Sequence, residues 1–177
     1  PWALTAVLFT LIALTCTREY TKALLTAAAV AFFVAGRFVI LLEGLGSLGT
    51  LLSPAQMFWM VTYQDIVVAL FMAFHVGFLF RVPWIGPKIA ELTVDGELIL
   101  SVQPWMRNVT FLGLVAFIAF PLAATGSVGG AVFGRLLGLS RWATFWGSVI
   151  GAVLGNGAML YLAEEINKYL PSDSWAV

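Results

Sequence analysis

Charge is what this sequence lacks most. Asp, Glu, Lys and Arg make up 10% of its 177 residues, against 61% hydrophobic ones. A soluble domain carries about 25% charged residues, so this chain has too few to wet the surface of a water-soluble globule. The abundant solvent that suits it is lipid. The nine basic and nine acidic residues cancel, and without a basic excess nucleic acid is not an expected partner. Cysteine is nearly missing. Cys16 stands alone, which excludes an intramolecular disulfide and a zinc site built on several thiolates. With His75 the one histidine and the carboxylates scattered, neither a metal nor a cofactor is expected. G-x-S-x-G, P-loop and H-E-x-x-H patterns do not occur. Ser127, His75 and Asp65 lie far apart without flanking motifs, so the chain reads as not an enzyme.

What is present is a series of long apolar runs, with a mean hydropathy of +0.98. A spanning helix needs about 20 mostly apolar residues. The pattern predicts an all-α, polytopic helical membrane protein, a single domain over residues 1–177. Its spans, about four by this rule, are Trp2–Thr17, Ala23–Leu42 (interrupted by Gly36 and Arg37), Val61–Phe80 and Trp142–Ala163. Residues 1–15 lack a basic n-region and an A-x-A-like cleavage site, so they read as a membrane helix. A chain opening on Pro1 without Met is expected to be preceded by further residues. Gly44–Phe58, with Pro54 and three glycines, suggests an interfacial turn or shallow re-entrant loop. Residues 82–108 form the one polar insertion, expected to lie along the surface with Trp84 and Trp105 at headgroup level.

Residues 109–139 are long and apolar but broken at Pro121 and at the run Thr125-Gly126-Ser127-Val128-Gly129-Gly130. Each half holds only about 12–13 residues, roughly 18–20 Å of helix, too short for a core about 30 Å thick. A broken helical hairpin that enters the membrane and returns is the expectation. Glycines 126, 130, 134 and 138, and 147, 151 and 155, recur every four residues. Such stripes serve close helix packing in lipid. A second reading gives the first turn after the break to a ligand, because free N–H groups and the positive dipole end point into it.

Charges in apolar stretches are candidates by cost alone, since an arginine at a helix centre costs about 2.5–3.5 kcal/mol to insert. Arg135 either snorkels to an interface or counters an anionic group. Arg37 either meets Glu43 at an interface or faces a polar path. Asp65, one turn inside the expected span, and His75, about 15 Å further along it, read either as helix-end and packing residues or as a proton relay. Under the re-entrant topology Arg18, Lys22, Arg81, Lys88, Arg107 and Arg141 fall on one side, the cytoplasmic one by the positive-inside rule. Glu43 and Glu164-Glu165 then fall on the other.

The run Phe117 to Gly130, with Pro121, Thr125 and Gly126 in order and Leu136-Leu137-Gly138-Leu139 behind it, resembles the small multidrug export proteins. Their pattern has a second proline and a glycine where this chain has Leu122-Ala123-Ala124. The likeness covers the second half, from about Phe71. A looser architectural likeness to DedA-type membrane proteins implies handling of lipid-linked phosphates. Together these imply a small bacterial inner-membrane transporter of an amphipathic or anionic substrate. Its expected substrate residues are Pro121, Thr125, Gly126, Ser127, Gly129, Gly130, Arg135 and Arg37. Membrane lipids and a second copy of the chain are its expected partners. The alternative is a non-transporting subunit packed by its glycine stripes into a larger membrane complex.

Overall fold

Backbone groups in lipid must be satisfied within the segment, which favours helices. Among the described residues of the computed structural model every folded segment is helical and no strand occurs; these residues are 3, 6, 7, 10, 17–44, 52–75, 91, 94, 98, 102, 104–120 and 126–169. The expected first span and most of the polar insertion lie outside them. The helices are α1 (Arg18–Val30), a π-helical turn (Ala31–Ala35), α2 (Phe38–Gly44), α3 (Pro54–His75), α4 (Pro104–Ala119), α5 (Gly126–Leu136) and α6 (Arg141–Tyr169). Two of them, α3 and residues Arg141–Ile166 of α6, are long and apolar enough to cross a membrane. These two correspond to the expected spans Val61–Phe80 and Trp142–Ala163, and most of the expected span Trp2–Thr17 lies outside the described residues.

The expected span Ala23–Leu42 is not one rod. α1 gives way to the π-helical turn, and Gly36 closes it with φ +54. α3 begins at Pro54, not Val61. Ser53 caps it: the Gln56 N–H donates to Ser53 Oγ (3.3 Å) and the Ser53 N–H donates to Gln56 Oε1 (2.8 Å). This reciprocal cap leaves Pro54 at the first helical position, where its missing N–H costs nothing. The proline therefore starts a helix here rather than forming an interfacial turn. α4 begins at Pro104, inside the stretch read as the polar insertion.

α6 opens the same way. The Ala143 N–H donates to Ser140 Oγ (3.2 Å). Both openings follow the pattern Leu-Ser-x4-Phe-Trp, at a spacing of 87 (140 minus 53). Phe58–Trp59 and Phe145–Trp146 form edge-on ring pairs at 5.1 and 5.2 Å. Ser140→Ala is expected to lower stability by about 1 kcal/mol, the usual worth of such a cap, read as a lower melting temperature in detergent.

The chain forms two compact units: residues 1–64 with 155–177, and residues 65–154. In the first, Leu24, Ala27 and Ala31 of the broken helix pack with Val39, Ile40, Leu52, Met57, Val61 and Met159. Polar groups fasten this core. Gln64 Nε2 donates to the Ala28 carbonyl (3.0 Å), just before the π-helical turn, and Asn156 Nδ2 donates to Thr62 Oγ1 (3.2 Å).

In the second unit, α4 and α5 run antiparallel. Gly130 lies against Ile118 and Gly134 against Leu114, and the Phe117 and Phe133 rings meet at 5.1 Å; as one partner's number rises the other's falls. α6 lays Gly147 and Gly151 against α4, and Phe145 and Val149 against Ile66, Ala69, Leu70, Ala73 and Phe74 of α3.

Candidate functional site

The sequence singles out the start of α5, and the structure sets a carboxylate beside it. α5 opens at Gly126 with φ +46, a conformation that costs a side-chain-bearing residue roughly 1–2 kcal/mol. Pro121 and Thr125 lie outside the described residues. Ser127, 2% exposed, donates its hydroxyl to Asp65 Oδ1 at 2.6 Å. A Cβ on Gly126 would stand 3.8 Å from the same oxygen. The helix after the break therefore points its free N–H groups and positive end at a carboxylate supplied by the chain itself, the charge such an end favours.

Asp65 lies deeper than the sequence reading put it. Because α3 starts at Pro54, eleven residues precede Asp65 in the helix, about 16 Å of rise. It is a mid-helix carboxylate, not a residue one turn from the start. His75, the last residue of α3, is exposed. Its ring stacks on Phe71 (4.7 Å) and its Nδ1 lies 3.0 Å from the Phe71 carbonyl. The carbonyl can only accept, so Nδ1 donates. The structure joins Asp65 to Ser127 and does not join it to His75.

The glycine stripe of α5 divides into two kinds of residue. Gly126 and Gly138 carry positive φ and bound the helix. At its C-terminal end the Gly138 N–H donates to the Arg135 carbonyl (3.2 Å) and the Leu139 N–H to the Gly134 carbonyl (3.0 Å), a Schellman motif. Gly130 and Gly134 are packing positions. A Cβ at Gly130 would lie 2.3 Å from Ile118 Cδ1, and one at Gly134 would lie 2.9 Å from both Leu114 Cδ2 and Thr144 Cγ2. Gly129 is half-buried, off this face.

Arg135 is not at the break. It belongs to the last turn of α5, about 12 Å along the axis from Ser127, and its guanidinium donates to the Leu139 carbonyl. A cation there satisfies the carbonyl end of its own helix. Arg37 is 5% exposed and belongs to the other unit. Its side chain is buried within that unit. Among the described residues no three His, Cys, Asp or Glu side chains come together to hold a metal ion.

The Asp65–Ser127 bond joins residues 62 positions apart, and no periodicity in the sequence links them. The one available signal is the rarity of Asp65 in an apolar run.

A model of the family described as Putative small multi-drug export protein matches residues 37–156. The match starts well before Phe71, where the likeness of motifs fades. No curated protein and no solved structure matches the chain. The matched span holds α4 with α5, Asp65 with Ser127, and most of the two helices able to cross a membrane, and on this match over more than half its length the chain belongs to the small multi-drug export protein family.

Proposed function

We propose that the chain is a small exporter of the bacterial cytoplasmic membrane whose substrate is engaged where α4 gives way to α5. In this reading α4 and α5 form a re-entrant hairpin, since α5, with its 11 residues, covers only about 16 Å of a core about 30 Å thick. The observation that carries the reading is the bond from Ser127 to Asp65. An aspartate inside an apolar span is expensive and marks a substrate or ion path by default. Here it meets a broken helix, the device that binds charge near the midplane in transporters.

The same bond favours one charge of substrate. The positive end of α5 already has its anion in Asp65, and Arg135 is engaged at the other end of α5. An amphipathic cation complements this site better than an anion does. Two copies of the chain are proposed to close the path.

Efflux from liposomes containing the full chain tests this, with ethidium as the cationic probe and anilinonaphthalene sulfonate as the anionic one. Ethidium efflux should fall at least about tenfold, a barrier change of about 1.4 kcal/mol, in Asp65→Asn and in Gly126→Leu. Equal ethidium flux in the wild type and both variants would remove the proposed site. Sulfonate flux that depends on Arg135 would restore the anionic reading.

A further inference from the structure

The second unit holds two hydroxyls that its packing leaves unexplained. Thr144 and Ser148 of α6 are both 0% exposed, and neither hydroxyl has a hydrogen-bond partner. Leaving such a group unpaired costs about 1–3 kcal/mol, so a fold kept for packing alone would hold alanine and valine there. The two lie one turn apart on one face of α6.

That face looks at α5. A Cβ on Gly134 would meet Thr144 Oγ1 at 3.2 Å. Gly147 and Gly151 face α4 instead, and Phe145 and Val149 face α3. α6 runs parallel to α4, since Gly147 meets Leu114 and Gly151 meets Ile118, while α5 runs antiparallel to α4, so α5 and α6 run antiparallel. One turn beyond Thr144 on α6 therefore matches one turn before Gly134 on α5. This puts Ser148 level with Gly130 and Ala131, between Thr144 and Ser127. The α5 face opposite carries Ser127, Gly130, Ala131 and Gly134, all buried and all small. Ser127 meets Asp65 directly, and along the helix axes Ser127, Ser148 and Thr144 thus follow one another at steps of about one turn, roughly 5 Å, a gap for which a bridging water is the fitting link. Beyond Thr144 lies Ser140, which is exposed.

We propose that this seam is a one-sided proton path from Ser140 through Thr144, Ser148 and Ser127 to Asp65. Asp65 is the group that takes up and releases the proton. The carboxylate gains one proton from solvent to become the acid and returns it on the reverse step. Each hydroxyl on the way accepts one proton as it passes another on, so no reactant but the proton is consumed. Hydroxyls suit this because each both donates and accepts. The charged and titratable groups on the packed elements are few among the described residues. α5 brings Arg135 at its far end, α6 brings Arg141 at its first residue and Tyr161, Glu164, Glu165, Lys168 and Tyr169 near its other end, and α4 brings the exposed Arg107. α3 itself adds Tyr63 and His75. The proposal rests on the export reading only for the use made of the proton.

Infrared difference spectroscopy of the full chain in liposomes, after a pH jump, reads the proton on Asp65 without any transport. The expected result is a carboxyl band that appears in the wild type and is lost in Asp65→Asn. In Thr144→Val with Ser148→Ala the band should reach the same height but rise about tenfold more slowly. An unchanged rise, or no band that depends on Asp65, overturns the proposal. If the double variant fails to fold, Ser148→Cys in a Cys16→Ala background replaces it. Reaction of that thiol with aqueous silver ion supports a wet seam, and a thiol that stays unreactive overturns it. A chain that passes a proton to Asp65 through this seam yet moves no ethidium fails as an exporter and keeps the path. Ethidium efflux with an unchanged carboxyl response does the reverse.

Discussion

Gly151→Leu is expected to abolish the folded second unit, seen as aggregation in detergent instead of a single melting transition. A mere Cβ at Gly151 would lie 2.7 Å from Ile118 Cβ and 2.9 Å from the Val115 carbonyl oxygen. The second contact is with backbone, so no rotamer change relieves it, and α4 and α6 must separate. Even a small overpacked group typically costs about 1–3 kcal/mol, a large share of a total stability of about 5–15 kcal/mol. Leucine adds three further carbons. Gly130 offers the contrast. Its Cβ would strike only the Ile118 side chain, at Cδ1 and Cγ1. Gly130→Ala should therefore be rescued in large part by Ile118→Ala, with a coupling of about 0.5–3 kcal/mol. The same partner change should not rescue Gly151→Ala. Melting temperatures of the two double variants decide this, and equal rescue would mean the α4–α6 approach is looser than the contacts imply.

Asp65→Asn is expected to leave the fold as stable as before or more so, while removing export. Aspartate at a helix centre costs about 2.5–3.5 kcal/mol on insertion scales, and asparagine, which is polar but uncharged, avoids part of that. The amide oxygen still accepts the Ser127 hydroxyl, so that bond survives. A gain in stability on loss of activity is the usual mark of a group kept for function. A marked fall in melting temperature, with the protein otherwise intact, would make Asp65 a structural residue of the α3–α5 contact. Asp65→Leu gives the comparison, because it also strands the Ser127 hydroxyl and forfeits about 1–3 kcal/mol.

The physics of solvent is what made much of this protein legible. Scarce charge and long apolar runs pointed to helices in lipid, and α6 begins within one residue of its expected start. The break between α4 and α5 was readable because Pro121 and the glycines stand where a helix cannot run on. Other features resisted. Pro54 looked like an interruption because its partner signal, Ser53 with Gln56, lies in the flanking residues. Misplacing that start also misplaced Asp65 along its helix. The even spacing of glycines hid two different causes, conformation at Gly126 and Gly138 and close approach at Gly130 and Gly134. Arg135 drew attention as a charge in an apolar stretch, yet its carbonyl partner is only four residues away. The Asp65–Ser127 contact was beyond reach, since pairing across 62 residues depends on topology that no local pattern encodes.

The matched openings of α3 and α6 carry a consequence for exchange of segments. Ser53 and Ser140, Phe58 and Phe145, and Trp59 and Trp146 all keep the same interval. A serine cap and an edge-on Phe–Trp pair serve both openings, so each start is built by the same local physics. Grafting Ser140–Trp146 in place of Ser53–Trp59 should therefore yield a chain that still folds, whereas a scrambled graft of the same composition should not.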